Sequence, residues 1–153
     1  MRAGNFAIVS DLYASWAIKD LPAVLDLLSE NITFVMHIPA EAVPFAGETS
    51  NKSDLVPRLQ QIIEGFDFID YRPLFIRGSG DDFHAQIFYH YRHKGTGREI
   101  EGSMRHVGRI EEGKVARLEE FHDTQRVLAF LELIGEETSG KPQREFPNIK
   151  KNR

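Results

Sequence analysis

Histidine, arginine and glutamate side chains are concentrated in the segment 98–123. Two stretches of alternating apolar and polar residues meet there at Glu112-Gly113, and an acidic residue followed by glycine is typical of a tight β-hairpin turn. A two-residue turn at this point predicts that Arg105 lies opposite Glu120. His122 falls on the same predicted face, and we expect this face of the hairpin to look into a pocket.

Four candidate residues could carry acid–base chemistry in such a pocket. A carboxylate beside imidazole groups can transfer protons, because burial raises a carboxyl pKa and histidine titrates near neutral pH. We assign Glu120 as the acid or base, and Arg105 as the residue that tunes it. His37 and His90 would position water or a substrate oxygen. Arg105 and Glu120 have an alternative use as an ion pair that only compensates two buried charges, and His37 has one as a hydrogen-bonded residue at the cavity mouth.

The pocket wall is expected to be aromatic, since the chain has 11 Phe, 4 Tyr and 1 Trp. Such a wall suits a flat or cyclic apolar ligand, although ordinary cores share this composition. Asp123 ends the last predicted strand, where capping of the following helix is its favoured use and catalysis the alternative. The candidate ligand-binding residues are Tyr13, Trp16, Phe34, Phe45, Leu118, His122 and Asp123.

The other histidines are predicted to lie on the outer face of the sheet or at strand ends. These are His84, His93 and His106. A metal site is not expected, because the nearest approach to a paired histidine spacing, His90-Tyr91-Arg92, has an arginine in the second place. We predict neither a metal nor another cofactor.

Composition narrows the class of protein. A chain of 153 residues fits one domain with a sizeable core. The net charge of −4 with scattered basic residues argues against nucleic acid as a partner, and the absence of cysteine excludes disulfides and thiol chemistry. No apolar stretch is long enough for a membrane span, and no signal peptide is evident, so we expect a cytoplasmic protein without a membrane partner.

Apolar spacing predicts helices first and strands afterwards. Helix-like spacing predicts four helices. They are one over 5–17, a short one capped by Asp20, one capped by Ser50 or Ser53, and one over 124–134 that ends at Gly135. A strand is predicted over 32–38, and a loop too rich in proline and glycine for regular structure over 39–49. Four further strands joined by short turns predict an antiparallel meander, over 66–77, 82–94, 98–110 and 114–123.

This order of elements predicts an α+β fold, with helices on one face of a strongly bent antiparallel sheet. In the segments 14–20, 30–39, 45–47, 96–98 and 113–123 the chain resembles the nuclear transport factor 2-like superfamily, most closely its SnoaL-like and ketosteroid-isomerase-like branches. The resemblance implies a cone-shaped sheet around a helix, with an internal pocket. The expected domain covers 1–135, followed by a flexible polar tail over 136–153 in which Phe146 and Ile149 could dock.

The resemblance argues against steroid isomerisation. It places Leu12 where ketosteroid isomerases carry a tyrosine and Met36 where they carry the general-base aspartate. His37-Ile38-Pro39 is similar to an Asn-Met-Pro segment of limonene epoxide hydrolases, and Glu120 then matches a catalytic aspartate, but His90 and Arg92 replace the rest of that site. The set of candidate histidines also resembles the site of scytalone dehydratases, which work with two histidines and ordered water.

Two functions therefore stay open for this sequence. The first is cofactor-independent acid–base catalysis, such as isomerisation, dehydration, cyclisation or water addition, on an apolar ring-containing molecule. The second is a non-catalytic ligand-binding or protein-interaction module. The resemblance also implies a homodimer through the outer sheet face, and the apolar residues predicted on that face support it. They are Met104, Ile110, Val115 and Phe121.

Overall fold

The computed structural model describes residues 1–39, 42 and 45–139 and has four helices and six strands in those ranges. None of these helices combines the length and apolar character that a bilayer crossing requires. In chain order the elements are α1 (Ala3–Ala17), α2 (Leu21–Asp26), β1 (Leu28–Met36), β2 (Gly47–Thr49), α3 (Lys52–Gly65), β3 (Phe66–Ser79), β4 (Asp82–His93), β5 (Glu99–Glu111), β6 (Lys114–Phe121) and α4 (Thr124–Ser139).

The six strands form one sheet in the order β2-β1-β6-β5-β4-β3. Strands β3 to β6 are an antiparallel meander, as the turn residues predict. Strand β1 pairs with β6 in parallel, which makes the sheet mixed. On its other edge β1 pairs with β2 in antiparallel orientation. Register shifts in three of the strand pairs bend the ladder. The helices pack on one face of the sheet, so the α+β fold class is confirmed.

Local capping explains where two of the helices begin. Asp20 caps α2 as predicted, because its carboxylate accepts a hydrogen bond from the Ala23 backbone N–H at 3.2 Å. The predicted cap of α3 is wrong. Asn51, rather than Ser50 or Ser53, accepts the Asp54 N–H at 2.8 Å.

Regular structure extends further than the sequence pattern predicts. Strand β2 forms inside the predicted loop 39–49, where pairing with β1 overrides the glycine content. Helix α4 continues past Gly135 to Ser139, since one glycine weakens a helix by only about 1 kcal/mol. The segment 136–139 is therefore helical instead of part of a tail. Residues 140–153, with Phe146 and Ile149, lie outside the described residues, and the domain boundary stays a prediction.

The β5–β6 hairpin has the predicted turn but a different register beyond it. Glu112 and Gly113 have φ angles of 51° and 77° and join the paired residues Glu111 and Lys114. Between the pairs Ile110–Val115 and Arg109–Arg117, however, Ala116 is left over as a β-bulge.

The bulge reverses the predicted faces of β5. Beyond it Glu120 pairs with His106, and Arg105 pairs with Phe121. His106 is therefore buried on the inner face, and Arg105 is exposed on the outer one. The apolar residues Met104, Ile110 and Val115, predicted on the outer face, are buried in the core instead.

Glycine at position 108 makes room for this arrangement. A Cβ atom there would lie 2.4 Å from the buried Phe83 ring and 2.8 Å from the Arg117 carbonyl oxygen. Glu119 and Phe121 point outward, as predicted. Both follow the bulged residue on β6, and beyond it the alternation of side chains along β6 agrees with the predicted one.

Candidate functional site

An internal cavity of about 130 Å³ lies between the helices and the concave face of the sheet. For comparison, an apolar cavity of roughly 150 Å³ can accept benzene. The helix side of the wall is aliphatic and aromatic, and the ionisable groups His106 and Glu120 come from the sheet side. The residues that line it include Leu12, Tyr13, Trp16, Phe34, Phe45, Leu59, Tyr71, Tyr89, Tyr91, Met104, His106, Leu118, Glu120, His122, Val127 and Leu131.

Glu120 is the central polar residue of this wall. Its side chain is only 11% exposed. One carboxylate oxygen accepts a hydrogen bond from His106 Nε2 at 2.9 Å, and the other accepts one from His122 Nε2 at 2.7 Å. Both acceptor oxygens are therefore occupied, and each histidine carries a proton on Nε2.

Tyr13 extends the hydrogen-bonded chain on the far side of His106. Its hydroxyl group lies 2.9 Å from His106 Nδ1. Because His106 Nε2 donates to Glu120, its Nδ1 accepts the hydrogen bond from the Tyr13 hydroxyl group. Tyr13 belongs to α1, so this chain connects the first helix to the last two strands of the sheet.

His122 is the histidine of this hydrogen-bonded network whose second ring nitrogen has no partner among the described residues. Its side chain is only 10% exposed, and Nδ1 is buried without a hydrogen-bond partner among the described residues. A buried polar atom without a partner costs free energy. His122 is among the residues that line the cavity, and Nδ1 is its ring nitrogen that still lacks a partner.

Burial and charge have opposing effects on the pKa of Glu120 and act in the same direction on that of Tyr13. Burial favours a raised pKa for Glu120, but the charge of His122 and the hydrogen bonds from His106 and His122 outweigh it and hold that pKa well below its ordinary value. Burial, with the nearby Glu120 charge, raises the pKa of Tyr13. The site therefore holds an ionised carboxylate and a neutral phenol.

The family model of the SnoaL-like domain matches residues 9–118, well over half of the chain. This chain belongs to the SnoaL-like domain family. The match includes β5, the strand that carries His106, and it ends just before Glu120.

Solved structures share the fold of this SnoaL-like chain over most of their length. An NTF2-like protein from Burkholderia xenovorans LB400 is 24% identical, with a TM-score of 0.72 over 86% of this chain and 97% of that one. A protein with a ketosteroid isomerase-like fold from Catenulispora acidiphila DSM 44928, in complex with trimethylamine, is 16% identical, with a TM-score of 0.67 over 88% and 93%.

TerC, co-crystallised with polyporic acid, is 15% identical to this chain, with a TM-score of 0.72 over 85% of this chain and 99% of that one. At such identities the likeness concerns the fold alone. A search among curated proteins finds no match to the SnoaL-like chain.

Three of the four predicted catalytic residues have a different environment from the one expected. His37 is 41% exposed on the outer face, where it stacks on Phe121 at 4.3 Å and contacts Glu119 at 3.0 Å. It follows β1 directly, and the alternation of side chains turns it away from the cavity. This position is not the cavity mouth either.

His90 and Arg105 also lie on the outer face. His90 Nε2 is 2.7 Å from Glu99, and its Nδ1 is 3.7 Å from Glu101. In the observed pairing of β4 with β5, it is Tyr89 that faces inward. The ion pair proposed between Arg105 and Glu120 does not form, so Glu120 alone of the predicted catalytic set lies at the cavity.

Six of the seven predicted ligand-binding residues line the cavity, and Asp123 does not. Asp123 is exposed at the junction of β6 and α4, and its backbone carbonyl accepts the first helical hydrogen bond, from Val127 N–H at 3.0 Å. Six others line the cavity, and their role toward a ligand stays a prediction: Tyr13, Trp16, Phe34, Phe45, Leu118 and His122.

His106 is the site residue that the sequence prediction missed. The sequence does carry a signal for the inward position of His106. The apolar residues Val115 and Leu118 are three positions apart, which departs from strict alternation and indicates a bulge in this strand. No group of three histidine, aspartate or glutamate side chains within the described ranges is arranged to hold a metal ion.

Proposed function

We propose that this SnoaL-like chain is an acid–base enzyme that needs no cofactor and acts on a small, apolar, ring-containing molecule in the cavity. The observation that carries the proposal is the unpartnered, buried Nδ1 of His122, a residue of the cavity wall whose Nε2 is bound to the ionised Glu120. Reactions of this class include isomerisation, dehydration, cyclisation and water addition.

His122 is the group that would exchange a proton with the substrate. When His122 is neutral, its Nε2–H donates to Glu120 and its Nδ1 lone pair can take a proton from the substrate. The resulting imidazolium is stabilised by the carboxylate 2.7 Å away. The same ring can then return the proton to another substrate atom, which completes an isomerisation or an elimination.

Glu120, His106 and Tyr13 would act as positioning residues. Glu120 fixes the tautomer and the orientation of His122, as a carboxylate does for a catalytic imidazole. His106 occupies the second carboxylate oxygen, and Tyr13 holds His106. This differs from the sequence hypothesis, in which Glu120 itself was the acid or base.

A non-catalytic binding protein is the second candidate. It is favoured by the arrangement of Glu120, because each of its two oxygens already accepts a hydrogen bond from a histidine. In that case His122 Nδ1 would only hold a polar atom of the ligand. Both candidates require a molecule in the cavity, and they differ in whether a proton is transferred.

The imidazole nitrogens of the wild-type protein provide a test of ligand contact. In ¹⁵N NMR spectra of protein labelled at histidine, saturating phenol should shift His122 Nδ1 and leave His90 on the outer face unchanged. Toluene has the same size but no hydroxyl group, and it should bind without the large Nδ1 shift. Phenol binding that leaves His122 unchanged, or no binding of either molecule, would contradict the proposal.

We further propose a homodimer through the outer face of the sheet. Val107 and Phe121 are 46% and 40% exposed there, on diagonal positions of β5 and β6. Charged side chains of both signs, Arg105, Arg117 and Glu119, surround them. Such a surface suits a second copy of the same chain, because apolar centres meet while opposite charges pair.

Sedimentation at micromolar concentration should show a particle of twice the 17.5 kDa chain. The substitution Val107→Asp should convert it into a monomer, because it places a charge in the apolar centre of the interface. Leu74→Asp in the edge strand β3 is the matched control, since Leu74 is similarly exposed. A wild-type monomer would refute the dimer.

A further inference from the structure

Arg126 is a charged residue next to the cavity that the proposed chemistry does not use. It lies in the first turn of α4, directly before the cavity-lining Val127. Its backbone N–H donates to Asp123. Its guanidinium group forms no ion pair or hydrogen bond with another residue in the described part of the chain.

Gly102 makes room for this guanidinium group over the inner face of β5. A Cβ atom at position 102 would lie 3.2 Å from Arg126 Nη1 and 3.7 Å from the Tyr89 hydroxyl oxygen. Gly102 stands between Ile100 and Met104, which both line the cavity. The missing side chain thus leaves the Arg126 charge close to the cavity edge.

Tyr89 connects Arg126 with the cavity. Its ring lines the cavity and lies 6.0 Å from the His122 ring. Burial raises the pKa of the Tyr89 hydroxyl group, and the positive charge of Arg126 opposes that rise. The hydroxyl makes no hydrogen bond with another described residue, so Tyr89 and Arg126 both have donors available at this edge.

Charge inside the cavity limits where an anionic group of a ligand could lie. The ionised Glu120 would repel an anion placed deep in the apolar wall, and burial of an unpaired charge is costly. At the edge, an exposed guanidinium group offers two parallel N–H donors that match a carboxylate.

We infer that the molecule bound in the cavity is a small ring-containing carboxylic acid, with its ring inside and its carboxylate at Arg126 and Tyr89. The inference rests on the proposed function and narrows its substrate class. A single ring fits the volume of about 130 Å³, and the carboxylate at the edge would direct the opposite part of the ring toward His122.

Calorimetry with benzoate and its neutral isostere benzamide tests the inference. Wild-type protein should bind benzoate at least tenfold more tightly than benzamide, because a charge-assisted pair is worth at least one factor of ten. Arg126→Gln should weaken benzoate binding about tenfold and change benzamide binding less than twofold.

The matched control is Arg105→Gln, which removes the same charge from the outer face and should leave both affinities unchanged. If Arg126→Gln binds benzoate as tightly as wild type while benzamide still binds, the carboxylate inference is overturned and the cavity proposal stands. If wild-type protein binds neither probe, both are overturned.

Discussion

Glu120→Gln should lower the free energy of unfolding by about 3 kcal/mol near neutral pH, since removal of one partner of a buried charge pair typically costs this much. The glutamine side chain keeps the shape of Glu120, but its amide can accept from only one of the two histidines. Its NH₂ group then faces the other Nε2–H, so that histidine loses its acceptor. Thermal unfolding should shift down by roughly 10 °C.

The loss should depend on pH in a defined direction. The folded-state pKa of Glu120 lies below its value in the unfolded chain, which is about 4.3 for glutamate. The unfolded chain therefore binds more protons as the pH falls below this value, and the stabilisation by the Glu120 carboxylate declines. The difference in unfolding free energy between wild type and Glu120→Gln should therefore shrink as the pH falls from about 5 toward about 3.

Glu101→Gln is the matched control for this experiment. Glu101 lies 3.7 Å from His90 on the outer face, with 58% of its side chain exposed, and the same substitution there should cost less than about 0.5 kcal/mol. Denaturant unfolding of the three proteins at several pH values measures both effects. Equal losses in the two variants would mean that Glu120 is not the electrostatic centre of the cavity wall.

The order of elements could be predicted from the sequence because it depends on local signals. Apolar periodicity, the Asp20 cap and the turn at Glu112-Gly113 each act within a few residues. The same signals set the antiparallel meander. Parallel pairing of β1 with β6 joins segments far apart in the chain, and no local pattern predicts it.

The candidate site was predicted less well because it depends on register. One extra residue, Ala116, moves the partner of Glu120 from Arg105 to His106. This shift exchanges an ion pair for a hydrogen-bonded histidine, and it moves an arginine to the surface. Phe34, Phe45 and Leu118 reached the cavity wall regardless, because apolar residues are buried on the concave face in any case.

His122→Gln should reduce proton abstraction in the cavity by a factor of about 100 or more, the usual range for a lost general base. Glutamine at this position can still donate to Glu120, so the carboxylate keeps its partner while the basic Nδ1 is gone. A suitable probe is 5-nitrobenzisoxazole, an apolar ring compound that opens when a base removes one proton from carbon. The N–O bond then breaks and a coloured phenolate forms.

The rate of this probe reaction, measured in wild type, His122→Gln and the outer-face control His90→Gln, tests most directly whether His122 is a base in the cavity. Melting temperatures of both variants show whether each remains folded. We expect wild type and His90→Gln to react at equal rates and the folded His122→Gln protein to lose the reaction. Equal rates in wild type and His122→Gln would contradict the assignment of His122 and favour a protein that only binds its ligand.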